Sequence, residues 1–305
     1  MIGKIAMCGC MEGGLDVIDY LISHGIKITY FISLNPEQAK KYNVSGYVSY
    51  ERLAAKHKIP IYFPKTYSLK DDEDLGFFQK NNFDLLILVG WQRLIPEQVL
   101  NTLRIGGLGI HGSSEYLPKG RGRSPVNWSL IEGKKRYILH IFLLTPGVDD
   151  GDILDQQIFD INDWDTCRTI NYKIFIVQKR MLKDLIPKLF ENKFQRIPQR
   201  GEPTYYPKRN PEDGKIDWNK QVFEIYNFIR ALTRPYPGAF SYINGTRINI
   251  WKAQPFDTRI TYINAKNGEI VEKFSTGDFV VQCKSGTLLV TDYEGDVHVS
   301  QIFTS

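Results

Sequence analysis

The chain has 305 residues, of which 42% are hydrophobic, enough for a sizeable core and for two domains, or one large and one small. Its 39 basic and 34 acidic residues leave a formal charge of +5. An excess this small and dispersed suits an anionic small ligand and does not argue for a nucleic-acid partner.

Residues 4–8 read as a buried first strand, 9–14 as a glycine-rich turn, and 15–23 as a helix with Leu15, Ile18, Leu21 and Ile22 on its apolar face. Strand, turn and helix in that order open an α/β sheet. The turn lacks the G-x-G-x-x-G order of a dinucleotide site. A second strand is expected at 26–33, a long polar loop at 34–48, and helices at 50–58 and 71–82. The run FDLLILV at 83–89 has the continuous apolarity of a central parallel strand. It ends in Gly90-Trp91-Gln92-Arg93-Leu94, and ligands bind beyond the carboxyl ends of such strands. Trp91 fits either a pocket wall or core packing. Pro96 opens a short helix over 97–102.

Residues 105–154 organise the chain. The first half is rich in glycine, holds little that packs as a regular element, and carries His111, Ser113, Ser114, Arg121, Arg123 and Asn127. The second half is apolar over 137–144 and then turns acidic at Asp149, Asp150 and Asp152. A strand there would return the acidic turn toward His111. A His–Asp pair is the resulting hypothesis, His111 titrating near neutral pH and Asp149 orienting it. The competing reading is a satisfied loop histidine and a solvated turn. None of the five histidines pairs at i,i+4, so no metal site is expected.

A long amphipathic helix follows over 166–192, then a linker-like strip over 197–217 with Tyr206 and Arg209, and a helix over 222–231. Apolar runs at 240–251, 270–274, 279–283 and 287–292 alternate with Asn-Gly, Thr-Gly and Ser-Gly turns, the signature of a small β domain. No run approaches the ~18 apolar residues of a membrane span, and no basic stretch leads into an apolar leader. Four cysteines without zinc or redox spacing fit a reducing, cytoplasmic setting.

Four segments carry a resemblance. Gly109-Ile110-His111, Tyr116-Leu117-Pro118, Arg121-Gly122-Arg123-Ser124-Pro125 and Val148-Asp149-Asp150-Gly151-Asp152-Ile153-Leu154 resemble the motifs of the folate-dependent formyltransferases. The runs RGRSPVNWSLIEG and PYPGAFSYINGTRINIW are similar to the branch that N-formylates an amino sugar on a nucleotide carrier. The likeness runs in order along nearly the whole chain. It implies a Rossmann-like α/β domain, mostly parallel with flanking helices (1–200), a linker (201–218) and a small OB-like β-barrel (219–305). The barrel either covers the sheet or mediates a homodimer.

By the same resemblance the formyl donor is N10-formyltetrahydrofolate, held at Gly90, Trp91, Gln92, Leu94, Val148 and Asp150. The acceptor is a nucleotide-linked amino sugar, met by Ser113, Arg121, Arg123, Tyr206 and Arg209. His111 and Asp149 take the family's catalytic positions. The family's catalytic Asn falls on Gly109, and the His-to-Pro turn is about two residues longer, around Ser114 and Glu115. Loss of one oxyanion donor costs about 2.7–4 kcal/mol, or roughly 10²–10³ in rate. Asn127, assigned to the catalytic set, is a candidate replacement, as are Ser113 and Gln92. Two alternatives share parts of this pattern. A methionyl-tRNA formyltransferase needs a larger basic surface and a tRNA-engaging loop after the second strand, where this chain has NPEQAKKYNVSGYVSYERL, more like the sugar branch. A non-catalytic ligand-binding protein is motivated by Gly109.

Overall fold

The computed structural model describes residues 3–44, 46–260 and 262–304; Ser45, inside the expected 34–48 loop, lies outside them. The elements run β1 (Ile5–Cys8), α1 (Glu12–Ser23), β2 (Tyr30–Ile32), α2 (Pro36–Lys41), α3 (Glu51–His57), β3 (Ile61–Tyr62), α4 (Asp72–Asn81) and β4 (Leu85–Leu88). Next come α5 (Glu97–Leu100), β5 (Gly106–Ser113), β6 (Arg121–Gly122), α6 (Pro125–Ile131), β7 (Arg136–Leu143), β8 (Ile153–Asp160) and α7 (Cys167–Phe190). The chain closes with β9 (Tyr205–Tyr206), α8 (Val222–Leu232), β10 (Ala239–Ile243), β11 (Thr246–Asp257), β12 (Ile270–Lys273), β13 (Phe279–Cys283) and β14 (Gly286–Glu294). Two compact units result. One holds residues up to Gly122 with Ile138–Phe159 and Tyr172–Tyr205; the other holds Arg123–Tyr137, Asp160–Asn171 and residues from Tyr206 on.

The first unit is built on a seven-stranded sheet in the order β3-β2-β1-β4-β5-β7-β8. Pairing is parallel from β3 through β5 and antiparallel between β5 and β7. Side chains alternate across a strand, so β1 feeds two cores. Ile5 and Met7 pack with Ile18, Leu21, Leu182 and Leu185 from α1 and α7. Ala6 and Cys8 pack with Phe78, Phe83 and Val99 on the opposite face. Cys8 and Cys10 are both fully buried in this core, and burial pushes the Cys8 thiol well up and Cys10 up to about 11. Gly9 is required by close approach: a Cβ there would lie 2.0 Å from the Val89 carbonyl oxygen.

Three expectations are corrected. Helix α1 begins at Glu12, inside the stretch expected to be a turn, because Gly13 serves packing: its missing Cβ leaves space for the Phe175 ring, 2.1 Å from where that atom would stand. The expected polar loop contains α2, started by a capping box in which the Asn35 side chain accepts from the Gln38 N–H at 2.8 Å and the Gln38 side chain accepts from the Asn35 N–H at 3.0 Å. Most important, the first half of 105–154 does form regular elements, since β5 is an eight-residue strand and α6 a helix.

The second unit has a five-stranded antiparallel sheet in the order β10-β11-β14-β13-β12, with bulges along β11. Helix α8 packs on β11, and α6 on α8. Trp218 is buried against Phe303, and its indole N–H donates to the Ser241 hydroxyl at 3.1 Å. Among the described residues no helix is long and apolar enough to cross a membrane.

Candidate active site

Strand β5 reads GGLGIHGS, an unlikely strand by propensity. It holds because its antiparallel neighbour supplies the missing bulk. Gly109 faces Phe142 and His111 faces His140 across the pair. A Cβ at Gly107 would stand 2.7 Å from the Leu144 side chain, and one at Gly109 would stand 2.6 Å from the tip of the Phe142 ring. Leu117, Phe142 and Ile153 form a small separate apolar cluster, with Leu144 packed on it.

His111 and Asp149 are brought together. The His111 Nδ1 lies 3.4 Å from Asp149 Oδ2, an ion-pair distance longer than a good hydrogen bond. The other ring nitrogen, Nε2, donates to the Gly120 carbonyl at 2.7 Å. A carbonyl only accepts, so Nε2 carries a proton. Any hydrogen bond from Nδ1 to Asp149 then requires a second proton on the ring. Asp149 Oδ2 also accepts the Gly122 N–H at 3.1 Å. Asp149 itself sits in the left-handed region at φ 51, disfavoured for a residue with a side chain. Gly151, two residues on, has no alternative, since a Cβ would stand 1.7 Å from the Leu143 carbonyl oxygen.

His140, opposite His111, is fully buried, and among the described residues neither ring nitrogen has a hydrogen-bond partner. Burial, then the charge of His111, pushes its pKa down to about 4. The ring stays neutral near pH 7.

The remaining sites fall in different places. Arg121 is buried; its guanidinium donates to the Gln199 side-chain oxygen at 2.7 and 3.2 Å and to the Tyr205 hydroxyl at 3.3 Å. The Ser113 hydroxyl is buried and donates to the Glu115 carbonyl at 2.8 Å, tying down the longer turn. On the loop after β4, Gly90 has φ 78, Trp91 packs edge-on against Tyr67 at 4.6 Å, and the Gln92 amide faces the Met11 sulfur at 3.4 Å. Leu94 and Val148 are both exposed, and Asp150 accepts from the Thr145 hydroxyl. Asn127, Arg123, Tyr206 and Arg209 belong to the second unit. There the Asn127 amide donates to the Ala231 carbonyl at 2.7 Å, Tyr206 stacks on Trp128 and donates to Glu132, and Arg209 lies 5.0 Å over the Trp128 ring. Arg123 is exposed, its backbone N–H donating to the Tyr206 carbonyl at 3.0 Å. Gln199 and His140 were not singled out from sequence. Their roles come from register and a crossing strip, and neither sits in a motif.

A Rossmann-like sheet with His111 on a glycine-rich strand and Asp149 on the turn before β8, together with a separate antiparallel sheet unit, makes this a two-unit α/β protein. The formyl transferase family matches residues 34–186, and the formyl transferase C-terminal domain matches residues 208–297. The chain belongs to the formyl transferase family. It is 31% identical over 286 residues to a bifunctional polymyxin resistance protein ArnA from Wigglesworthia glossinidia brevipalpis, covering 93% of this chain and 42% of that protein. It therefore spans about two fifths of that relative. It is 29% identical over 291 residues to a methionyl-tRNA formyltransferase from Thermodesulfovibrio yellowstonii, covering 95% of this chain and 90% of that one. In fold it is similar to WlaRD, a sugar 3N-formyl transferase solved with dTDP and 5-N-formyl-THF, with a TM-score of 0.67, 18% identity, and coverage of 97% and 100% of the two chains.

Proposed function

We propose that this protein transfers a formyl group from N10-formyltetrahydrofolate to the amine of a nucleotide-linked amino sugar. The observation that carries the reading is the juxtaposition of His111 with Asp149 at 3.4 Å, within the residues 34–186 that match the formyl transferase family. The nitrogen of the acceptor attacks the formyl carbon and a C–N bond forms; the bond from the formyl carbon to N10 of the donor breaks, and the proton lost by the amine is matched by one taken up at N10, giving the formamide and tetrahydrofolate. His111, held between the Gly120 carbonyl and Asp149, is the side chain set beside the formyl oxygen as it becomes an oxyanion.

The donor's expected residues suit a flat, partly apolar molecule. The exposed Leu94 and Val148 offer apolar surface, and Gly90 and Gln92 bring backbone groups beyond the end of β4. On the acceptor side Arg121 lies between Gly120 and Gly122, whose backbone groups meet His111 and Asp149, and its guanidinium is bonded to Gln199 and Tyr205. Of the candidate oxyanion donors in the first unit, the Ser113 hydroxyl is committed to a carbonyl, while the Gln92 amide meets a weak sulfur acceptor.

A second reading, formylation of methionyl-tRNA, is favoured by the likeness to the Thermodesulfovibrio yellowstonii enzyme over 90% of its length. One assay separates the two. Full-length protein is supplied with the formyl donor and either a panel of nucleotide-linked amino sugars or methionyl-tRNA, and folate release and product mass are followed. Release with an amino sugar and none with the tRNA is expected. Binding of donor and sugar nucleotide without release would turn the reading to a ligand-binding protein.

A further inference from the structure

Two backbone segments meet the His111 ring. Residues 120–122 present the Gly120 carbonyl to Nε2, and the turn at 149–151 presents Asp149 to Nδ1. Asp149 itself joins these segments through the Gly122 N–H, and Gln199 is a second side chain that does so. The Gln199 amide nitrogen donates to the Asp149 carbonyl and to the Gly151 carbonyl, both at 2.8 Å. Its oxygen accepts from Arg121 Nη2 at 2.7 Å and Nε at 3.2 Å. Two N–H groups and two lone pairs are thus all used, and only this orientation of the amide works. Flipped, it would set oxygen against two carbonyls and N–H against a guanidinium.

We propose that Gln199 is a positioning residue for formyl transfer, holding the Asp149 turn and the 120–122 segment at the spacing that His111 requires. The proposal rests on the His111–Asp149 reading given above. Its force lies in where the four bonds fall. The Asp149 backbone occupies a conformation that a non-glycine residue leaves readily, and Gln199 grips the carbonyls on both sides of Asp150. Arg121, the other partner, is itself buried and lies between the two residues, Gly120 and Gly122, whose backbone groups meet His111 and Asp149. At 3.4 Å the His–Asp contact has little slack, and misplacement by about 1 Å can cost on the order of 10² in rate.

Gln199→Ala removes all four bonds. Gln199→Glu keeps the reach and the acceptor for Arg121 but sets a carboxylate oxygen against the two carbonyls. Both folded variants are expected to lose about tenfold or more in kcat, with KM for donor and acceptor within about twofold of wild type. The ring-nitrogen NMR signals of His111 in labelled protein are expected to move in the direction seen for Asp149→Asn. That spectroscopic measurement needs no turnover, so it decides the role of Gln199 even if the wild-type protein transfers no formyl group and the reaction assignment fails. Unmoved His111 signals in a folded variant overturn the proposal. So does unchanged kcat in an active enzyme, and so does global unfolding of both variants, which would make Gln199 a stability residue.

Discussion

The two halves of the central sheet solve the same problem in opposite ways. In the parallel half, β1 (IAMC) and β4 (LLIL) carry their own bulk, and almost every side chain is buried. In the other half, β5 gives up its side chains at Gly107 and Gly109, and Leu144 and Phe142 fill the space from the adjoining segment. Close packing is met in both cases, since interiors tolerate few voids. The difference lies in what else fits. A strand of large apolar residues has no place for a titratable group, whereas β5 sets His111 on a face whose neighbours are small or belong to another strand.

The contrast predicts that damage to the halves will read out differently. His111→Ala and Asp149→Asn are expected to lower turnover by at least roughly 10²-fold, with little change in sugar-nucleotide affinity or unfolding midpoint. Phe78→Ala, in the fully buried core against the parallel half, is expected to cost about 3–5 kcal/mol of stability and leave kcat per folded molecule near wild type. Steady-state kinetics and urea unfolding on the same preparations test both. A His111→Ala enzyme with wild-type turnover would remove the histidine from the chemistry.

Legibility in the sequence follows the same division. The strands at 4–8 and 83–89 could be read from apolar runs because there the pattern causes the structure. Strand β5 could not, because its stability resides in Phe142 and Leu144, more than thirty residues on in the chain. The His111–Asp149 pair was legible from residue chemistry and motif order. The roles of His140 and Gln199 were not. One follows from antiparallel register and the other from a strip that resembled a linker but runs along the site, with Ile197 bonded to Ile153 and Thr204 to Gly120. Helix α2 was hidden in the polar composition of 34–48, and its start rests on the reciprocal Asn35–Gln38 bonds seen in the structure.

The histidines facing each other across β5 and β7 sharpen the comparison with pH. His140 is pushed down to about 4, mainly by burial, against an ordinary value near 6.5. Above about pH 6.5 it is neutral whether the chain is folded or not, and its full contribution to stability is present. Between about 6.5 and 4 the unfolded chain takes up a proton that the folded chain refuses, so stability falls as pH falls. Below about 4 both states are protonated and the loss stops. The integrated effect is on the order of 3 kcal/mol. His140→Leu removes the group, so its unfolding free energy is expected to fall less steeply than wild type between pH 6.5 and 4. Parallel curves for the two proteins across that window would show that His140 is not held neutral.

Position 109 tests the complementarity directly. The resemblance implies that the family's donor Asn falls on Gly109; if it does, restoring it invites a gain where only a side chain is missing. The structure argues against a simple gain. Gly109 does not lie at positive φ, so an Asn there meets no left-handed strain. It meets a lack of room: a Cβ would stand 2.6 and 2.7 Å from two atoms of the Phe142 ring and 2.8 Å from Leu144. Phe142 is buried and packed by Leu117 and Ile153, so the ring does not swing freely. Gly109→Asn is therefore expected to lose about 1–3 kcal/mol of stability through overpacking and to change turnover by less than tenfold. Adding Phe142→Ala opens the volume. If the site lacks an oxyanion donor, Gly109→Asn in that background should raise kcat over Phe142→Ala alone while leaving ground-state affinity nearly unchanged. If another group already serves the oxyanion, the paired variant will gain nothing even with room to act. A tenfold or greater gain from Gly109→Asn by itself would show that the ring yields and that no other donor serves the oxyanion.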